Sequence, residues 1–345
     1  MERDLKLGLL LGYWGSRPDP GALDLIIEAE RLGYDSVWTS EAYGSDALTP
    51  LAWYGAHTTR LRLGSAVLQM SARAPAATAM AALTLDHLSG GRVILGLGVS
   101  GPQVVEGWYG QPFAKPLART REYVDIVRRI LARGEPVTND GPHYPLPYPG
   151  GTGLGKPLRA TVHPLRTDLP IFIGAEGPKN IALSAEIADG WLAAFYSPWD
   201  DGAQRSALAE GFSRPGARRT PEHFEVAAMV SVVVDDDIER ACDRLRPGLA
   251  LYIGGMGARN QNFHFNVIAS LGFEEAATEV QRLYLDGRRK DAAAAVPTAL
   301  VERLNLVGPE AKVREELSVW RRSPVTMLLV RAEPESVRVL PELMA

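Results

Sequence analysis

Ile171-Phe172-Ile173-Gly174-Ala175-Glu176-Gly177-Pro178-Lys179-Asn180 reads as a strand that ends in small residues and passes straight into a helix. Three apolar residues follow one another without polar alternation, as in a strand buried on both faces of a parallel sheet. Pro178 suits the first helical position, where a missing N–H is no loss. The pattern predicts a strand over Pro170–Gly174 and a helix over Pro178–Ala188, which together make one βα unit. Free backbone N–H groups and the positive helix end would face the space beyond the strand, an arrangement suited to phosphate. Ala175, Glu176, Gly177 and Pro178 are therefore candidate phosphate ligands. The charge of Glu176 opposes this unless its side chain points away, and ordinary turn chemistry accounts for the same small residues.

Working outward, four similar units precede this one. Strands are expected at Leu5–Leu11, Ser36–Thr39, Leu61–Val67 and Val93–Leu97. Between them, Ala22, Leu25, Ile26, Ala29 and Leu32 fall on one helical face that stops at Gly33. Further helices are expected at Ala47–Thr59 and Pro75–Leu88, and through Tyr123, Ile126, Val127, Ile130 and Leu131. Four units fit either an open doubly wound sheet or a closed barrel. Downstream, Trp191–Phe195, Phe224–Val234 and Val325–Val330 join Pro170–Gly174 to bring the strand candidates to eight, with helices at Asp237–Arg246 and Pro334–Leu343. That count favours an α/β fold, the (β/α)8 TIM barrel. No composition break marks a linker, so residues 1–345 read as a single domain with insertions at about 134–168 and 254–306. The first insertion is rich in Pro and Gly and the second is largely helical; either can wall a pocket at a barrel mouth.

Composition narrows the function classes. Hydrophobic residues make up 46% and charged residues 23% of the chain, close to the roughly 45–50% and 25% of soluble domains. Net charge is −4 and no basic stripe offers a nucleic-acid backbone continuous contact. The single Cys242 has no intramolecular partner, and Met1 to Lys6 lead directly into an apolar strand. With no apolar run near the roughly 20 residues that span a bilayer, the expectation is a cytoplasmic protein without membrane or nucleic-acid partners.

Gly96-Leu97-Gly98-Val99-Ser100-Gly101 has the G-x-G-x-x-G form and follows a strand. The dinucleotide fingerprint also needs a helix opening at the third glycine and an acid about 20 residues on; Pro102 follows here, and Glu122 falls in a helix. The stronger reading is that Gly98, Val99, Ser100 and Gly101 let a flat ligand or phosphate approach the backbone, with tight-turn glycines as the alternative. Other strand ends carry Tyr13 and Trp14, Ser40, Glu41 and Tyr43, Gln69 and Met70, and Phe195, Tyr196 and Trp199. In a barrel these converge at the carboxyl ends of the strands, where active sites of this fold are built. The six histidines have no metal-site spacing, so no metal is expected, and no G-x-S-x-G elbow appears. Chemistry borrowed from a cofactor fits these absences.

Read in order, these segments resemble the luciferase-like monooxygenase superfamily, and within it the actinobacterial branch that uses the deazaflavin coenzyme F420. The resemblance is carried by Ser36 to Gly44, Leu88-Ser89-Gly90-Gly91-Arg92 running into Gly96 to Gly101, and Gly174 to Pro178 with Ala188-Asp189-Gly190-Trp191. It is carried also by Tyr252 to Asn260 and Leu306 to Pro309. It implies a bulge with a non-proline cis peptide near Ser65, Ala66 and Val67 that backs the ring, with Glu41 near the ring and Ala175 to Pro178 at the phosphate. A histidine that follows the acid in the sugar-phosphate dehydrogenases of the superfamily is Ala42 here, which argues against glucose-6-phosphate. Glu41, Tyr43 and Tyr13 are the candidate catalytic groups by position. Trp14, Phe195 and Arg259 are expected to contact substrate or form a lid. The implied activity is hydride transfer between F420 and a small organic substrate. The alternatives are an FMN-dependent monooxygenase and a non-catalytic flavin-binding protein. Alanine-rich Pro75–Leu88 with Ala47–Thr59 suggests a homodimer.

Overall fold

The computed structural model describes residues 4–12, 14–257 and 262–344. Tyr13 and Arg259 lie outside the described residues. Eight strands form the barrel: β1 (Lys6–Leu10), β2 (Ser36–Thr39), β3 (Arg62–Ser65), β4 (Val93–Gly98), β5 (Ile171–Gly174), β6 (Gly190–Ala193), β7 (Glu225–Val234) and β8 (Met327–Ala332). Each pairs in parallel with the next, and β8 pairs with both β7 and β1, which closes the sheet. The open-sheet alternative is thereby excluded. Two short strands extend this frame, Leu68–Gln69 beside β4 and Leu306–Gly308 beside β7.

Side chains alternate between the barrel interior and the helix-facing side. Leu10, Trp38, Ala66, Ile94, Phe172, Leu192, Ala227, Met327 and Leu329 form the interior cluster. Its largest member is Trp38, and glycines make room for it: a Cβ on Gly64 would stand 2.2 Å from the indole, and one on Gly8 would stand 2.8 Å from its Nε1. Gly190 does the same for the Phe172 ring. The outer faces of the strands pack apolar residues against the surrounding helices in a second, larger cluster.

At the amino ends of the strands, Arg62 pairs with Asp35 at 2.7 Å and with Glu225 at 2.9 Å, and Lys6 reaches Glu225 at 3.2 Å. One ionic group thus ties β1, β3 and β7 together. Burial raises the Glu225 carboxyl, but the hydrogen bonds and charges of Arg62 and Lys6 outweigh it and hold the group below its ordinary range.

The excursion after the fourth unit lies against the helices Pro75–Ser89 and Pro116–Ala132. There His163 O meets His87 Nε2, Arg166 pairs with Asp86, and Asn139 donates to Glu122. Among the described residues it contributes nothing to the lining of the cavity at the carboxyl mouth, and these contacts hold it to the outer layer. The second insertion begins slightly earlier than expected, at Leu251, and contains the helices Phe263–Ile268, Glu274–Leu285, Arg289–Ala294 and Thr298–Leu304. Two helices that the periodicity did not reveal, Gly202–Phe212 and Glu310–Arg322, complete the outer layer.

Candidate active site

A cavity of about 1100 Å³ opens where the strands end, lined by their carboxyl termini, by the loop after β4 and by the second insertion. β3 runs into it through a bulge whose Ala66–Val67 peptide is cis. The Val67 side chain turns toward β4 and β5: a Cβ on Gly98 would stand 2.4 Å from Val67 Cγ2, and one on Gly174 2.9 Å from Val67 Cγ1. These glycines therefore admit the bulge, whereas the sequence suggested that Gly98 admits a ligand.

Glu41, just past β2, is buried and its carboxylate is spoken for. It accepts from the Gln69 N–H at 2.8 Å and pairs with Arg73 at 2.8 Å. The Gln69 side chain donates in turn to the carbonyls of Glu41 and Ala42. The Glu41 cluster thus fixes the segment after the bulge. Tyr43 stands at the rim, 60% exposed.

After β4, Ser100 has a positive φ of 59° and a short helix, Pro102–Gly107, opens directly at Gly101. That corrects one sequence argument against a dinucleotide site, which assumed no helix there; the closed barrel is what excludes it. The loop beyond contributes Trp108 and Phe113 to the cavity wall. Phe113 faces Phe263 of the insertion with centroids 6.4 Å apart, so the two loops meet across the mouth.

After β5, the helix Pro178–Ile187 starts at the cavity with Gly177 as its cap and no side-chain cap bond. A Cβ at Gly177 would meet nothing within 4 Å, so the space before the helix start is open. Lys179 and Asn180 line the same end. Asn180 Oδ1 and Glu176 Oε2 are buried with no hydrogen-bond partner among the described residues. The other Glu176 oxygen lies 2.7 Å from His264 Nδ1 on the insertion. An uncapped helix start with open space and a lysine fits a phosphate-bearing ligand, whereas the two buried oxygens are acceptors that call for donors.

The structure brings together Glu41, Tyr43, Ala66, Val67, Gly98 to Gly101, Ala175 to Pro178 and Phe195 around one cavity. Phe195 has a positive φ of 51° and its ring meets Tyr252 and His264 edge-on. Ser65 does not reach the cavity, because its Oγ bridges the Gly96 carbonyl and N–H across β3 and β4. Trp14 is likewise not among the lining residues. Sequence reading missed Trp108, Phe113, Asn305, Ser231 and Arg331, whereas His264 is expected from it as a donor in a segment over the mouth. Arg331 was legible: Met327, Leu329 and Arg331 keep the period of two, had the strand been extended past Val330.

A model of the luciferase-like monooxygenase family matches residues 18–327. A protein of Mycobacterium tuberculosis strain H37Rv, provisionally named a coenzyme F420-dependent oxidoreductase, is 57% identical over 99% of both chains. A 5,10-methylenetetrahydromethanopterin reductase of Archaeoglobus fulgidus is 29% identical, covering 87% of this chain and 86% of its own. Among solved structures, the F420-dependent tetrahydromethanopterin reductase of Methanopyrus kandleri superposes with a TM-score of 0.80 at 22% identity, covering 99% of this chain and 98% of that one.

Proposed function

Since the chain belongs to the luciferase-like monooxygenase family, we propose that it is a coenzyme F420-dependent oxidoreductase that moves a hydride between the deazaflavin and a small organic substrate. The observation that carries this reading is the cavity itself, which has an uncapped helix start at one side and the Ala66–Val67 bulge at the other. The naming of the relative that matches end to end at 57% identity supports F420 as the cofactor.

Bound F420 supplies a ring carbon that carries hydride and reacts poorly with oxygen. The chain's own residues hold and shield it. Ala66 and Val67 would back the ring, Gly98 to Gly101 would run beside it, and Ala175 to Pro178 with Lys179 would hold the phosphate. Glu41, its two oxygens engaged, keeps the bulge in place through Arg73 and Gln69 and is not free to transfer a proton. Tyr43 is the first candidate for that task and Tyr13 the second. Phe113, Phe263 and Phe195 keep water from the reacting centre, where orientation and water exclusion contribute most to rate.

Two further features belong to this reading. Trp53, Met80 and Leu88 are 59%, 62% and 75% exposed on two neighbouring helices, Leu48–Ala56 and Pro75–Ser89, and a symmetric homodimer buries them. A cytoplasmic location agrees with a single, buried cysteine.

Titration of the purified protein with F420 and, separately, with FMN, followed by fluorescence, tests the cofactor. Saturable binding of F420 at concentrations where FMN does not bind is expected. Preference for FMN overturns the proposal, and tight F420 binding without single-turnover hydride transfer makes the protein a carrier instead.

A further inference from the structure

The floor of the cavity is one layer of the barrel interior. Alternation along each strand continues the buried interior residues to Ser40, Ala66, Gly98, Gly174, Ala194, Ser231 and Arg331, all of which face the cavity. Six of these seven are Gly, Ala or Ser. Arg331 alone is long and charged. It stands on β8, and the strand order places β8 across the barrel from β4, hence away from the glycine loop and the bulge.

Two observations show that the guanidinium has a prepared place. Were Gly12 to carry a Cβ, that atom would stand 2.9 Å from one terminal nitrogen of Arg331 and 3.3 Å from both its Cζ and Nε. The group therefore lies against the Gly12 backbone, which has a positive φ of 72° and offers no side chain in the way. On the adjacent strand the register partner of Arg331 is Ser231. Its backbone N–H donates to Asn305 Oδ1 at 3.0 Å, and Ser231 lines the cavity.

Arg331 has no ion pair or hydrogen bond among the described residues, so it performs no evident structural task. Of the two carboxylates that line the cavity, Glu41 pairs with Arg73, and one oxygen of Glu176 lies 2.7 Å from His264 Nδ1; neither pairs with Arg331. We infer that Arg331, with the Ser231 hydroxyl beside it, is the subsite for a carboxylate on the substrate, so that the enzyme acts on an organic acid. A planar guanidinium takes a carboxylate through two parallel hydrogen bonds, and a hydroxyl adds a third. The rest of the floor is small and leaves the substrate's body room over the ring. This assignment rests on the hydride-transfer reading for its meaning, but not for its test.

The test is calorimetric titration of the protein, with and without F420, using benzoate, crotonate and pyruvate, each beside its primary amide. At least one acid is expected to bind tenfold or more tightly than its amide. Arg331→Gln should reduce that ratio below twofold, Arg331→Lys should retain part of it, and Ser231→Ala should lower it about threefold. Gly12→Ala, which displaces the guanidinium without removing charge, should lose the preference as Arg331→Gln does, and unfolding midpoints identify any variant that fails to fold. F420 affinity should stay within twofold throughout. If no acid binds better than its amide, or if the preference survives Arg331→Gln in a folded protein, the inference is wrong. Phenylphosphonate binding more tightly than benzoate would overturn the assignment to carboxylate. Failure of the wild type to bind F420 would count against the cofactor reading while leaving the acid-to-amide ratios of the cofactor-free protein to decide this one.

Discussion

Val67 occupies the space that a side chain on Gly98 would need: a Cβ there would stand 2.4 Å from Val67 Cγ2. The bulge after β3 and the glycine at the end of β4 are thus one packing unit. Gly98→Ala should overpack it, at a cost of about 1–3 kcal/mol, and should weaken F420 binding by moving Val67. Denaturation midpoints and a fluorescence titration measure both effects. Unchanged values for both would mean that the bulge shifts freely.

Gly177 behaves oppositely, because nothing lies within 4 Å of where its side chain would project. Gly177→Val should leave stability nearly unchanged yet weaken F420 at least tenfold, about 1.4 kcal/mol. Wild-type affinity in this variant would remove the phosphate from the start of the Pro178–Ile187 helix.

Glu41→Gln separates a positioning role from proton transfer. The neutral amide loses the charge-assisted contacts to Arg73 and to the Gln69 N–H, and stability should fall by about 2 kcal/mol. The pH profile of kcat should keep its shape. Loss of one limb of that profile would make Glu41 the proton carrier.

The base of the barrel should be acid-sensitive through Glu225. Burial alone would raise its carboxyl, yet Arg62 and Lys6 hold it below the ordinary value of 4.5. A depressed carboxylate contributes stability that is fully present above its unfolded value and is lost as pH falls through the folded one. The stability difference between wild type and Glu225→Gln should therefore be constant above about pH 5.5 and shrink as pH falls below 4.5. Urea denaturation across that range reads it, and a difference independent of pH would show that Glu225 carries no such charge.

Light scattering should give about twice the 37.4 kDa chain mass. The double substitution Trp53→Glu, Met80→Glu should return the protein to a monomer by placing charge on the exposed apolar helix faces. A wild-type monomer at micromolar concentration would remove the homodimer.

Much of this architecture was legible before any coordinates, because the strands of a parallel barrel are buried on both faces and write continuous apolar runs such as Ile171 to Ile173. Helix starts announced themselves through Pro75 and Pro178 and one stop through Gly33, since each satisfies a local backbone requirement. The glycine loop after β4 and the turn after β5 could be named for the same local reason. Other relationships are between residues far apart in the chain, and no local pattern encodes them. Nothing near Glu41 says that Arg73 would engage its carboxylate, nor does Gly98 disclose that it yields to Val67. His264 meets Glu176 only because an insertion after β7 folds back over β5. By itself Arg331 is one more charge near the end of the chain; closure of the barrel is what sets it on a floor of small residues, since β8 must pair with β1 and bring the guanidinium against Gly12. Strand and helix periods are decided by neighbours in sequence, whereas the chemistry of the cavity is decided by which strand ends the closed sheet makes adjacent.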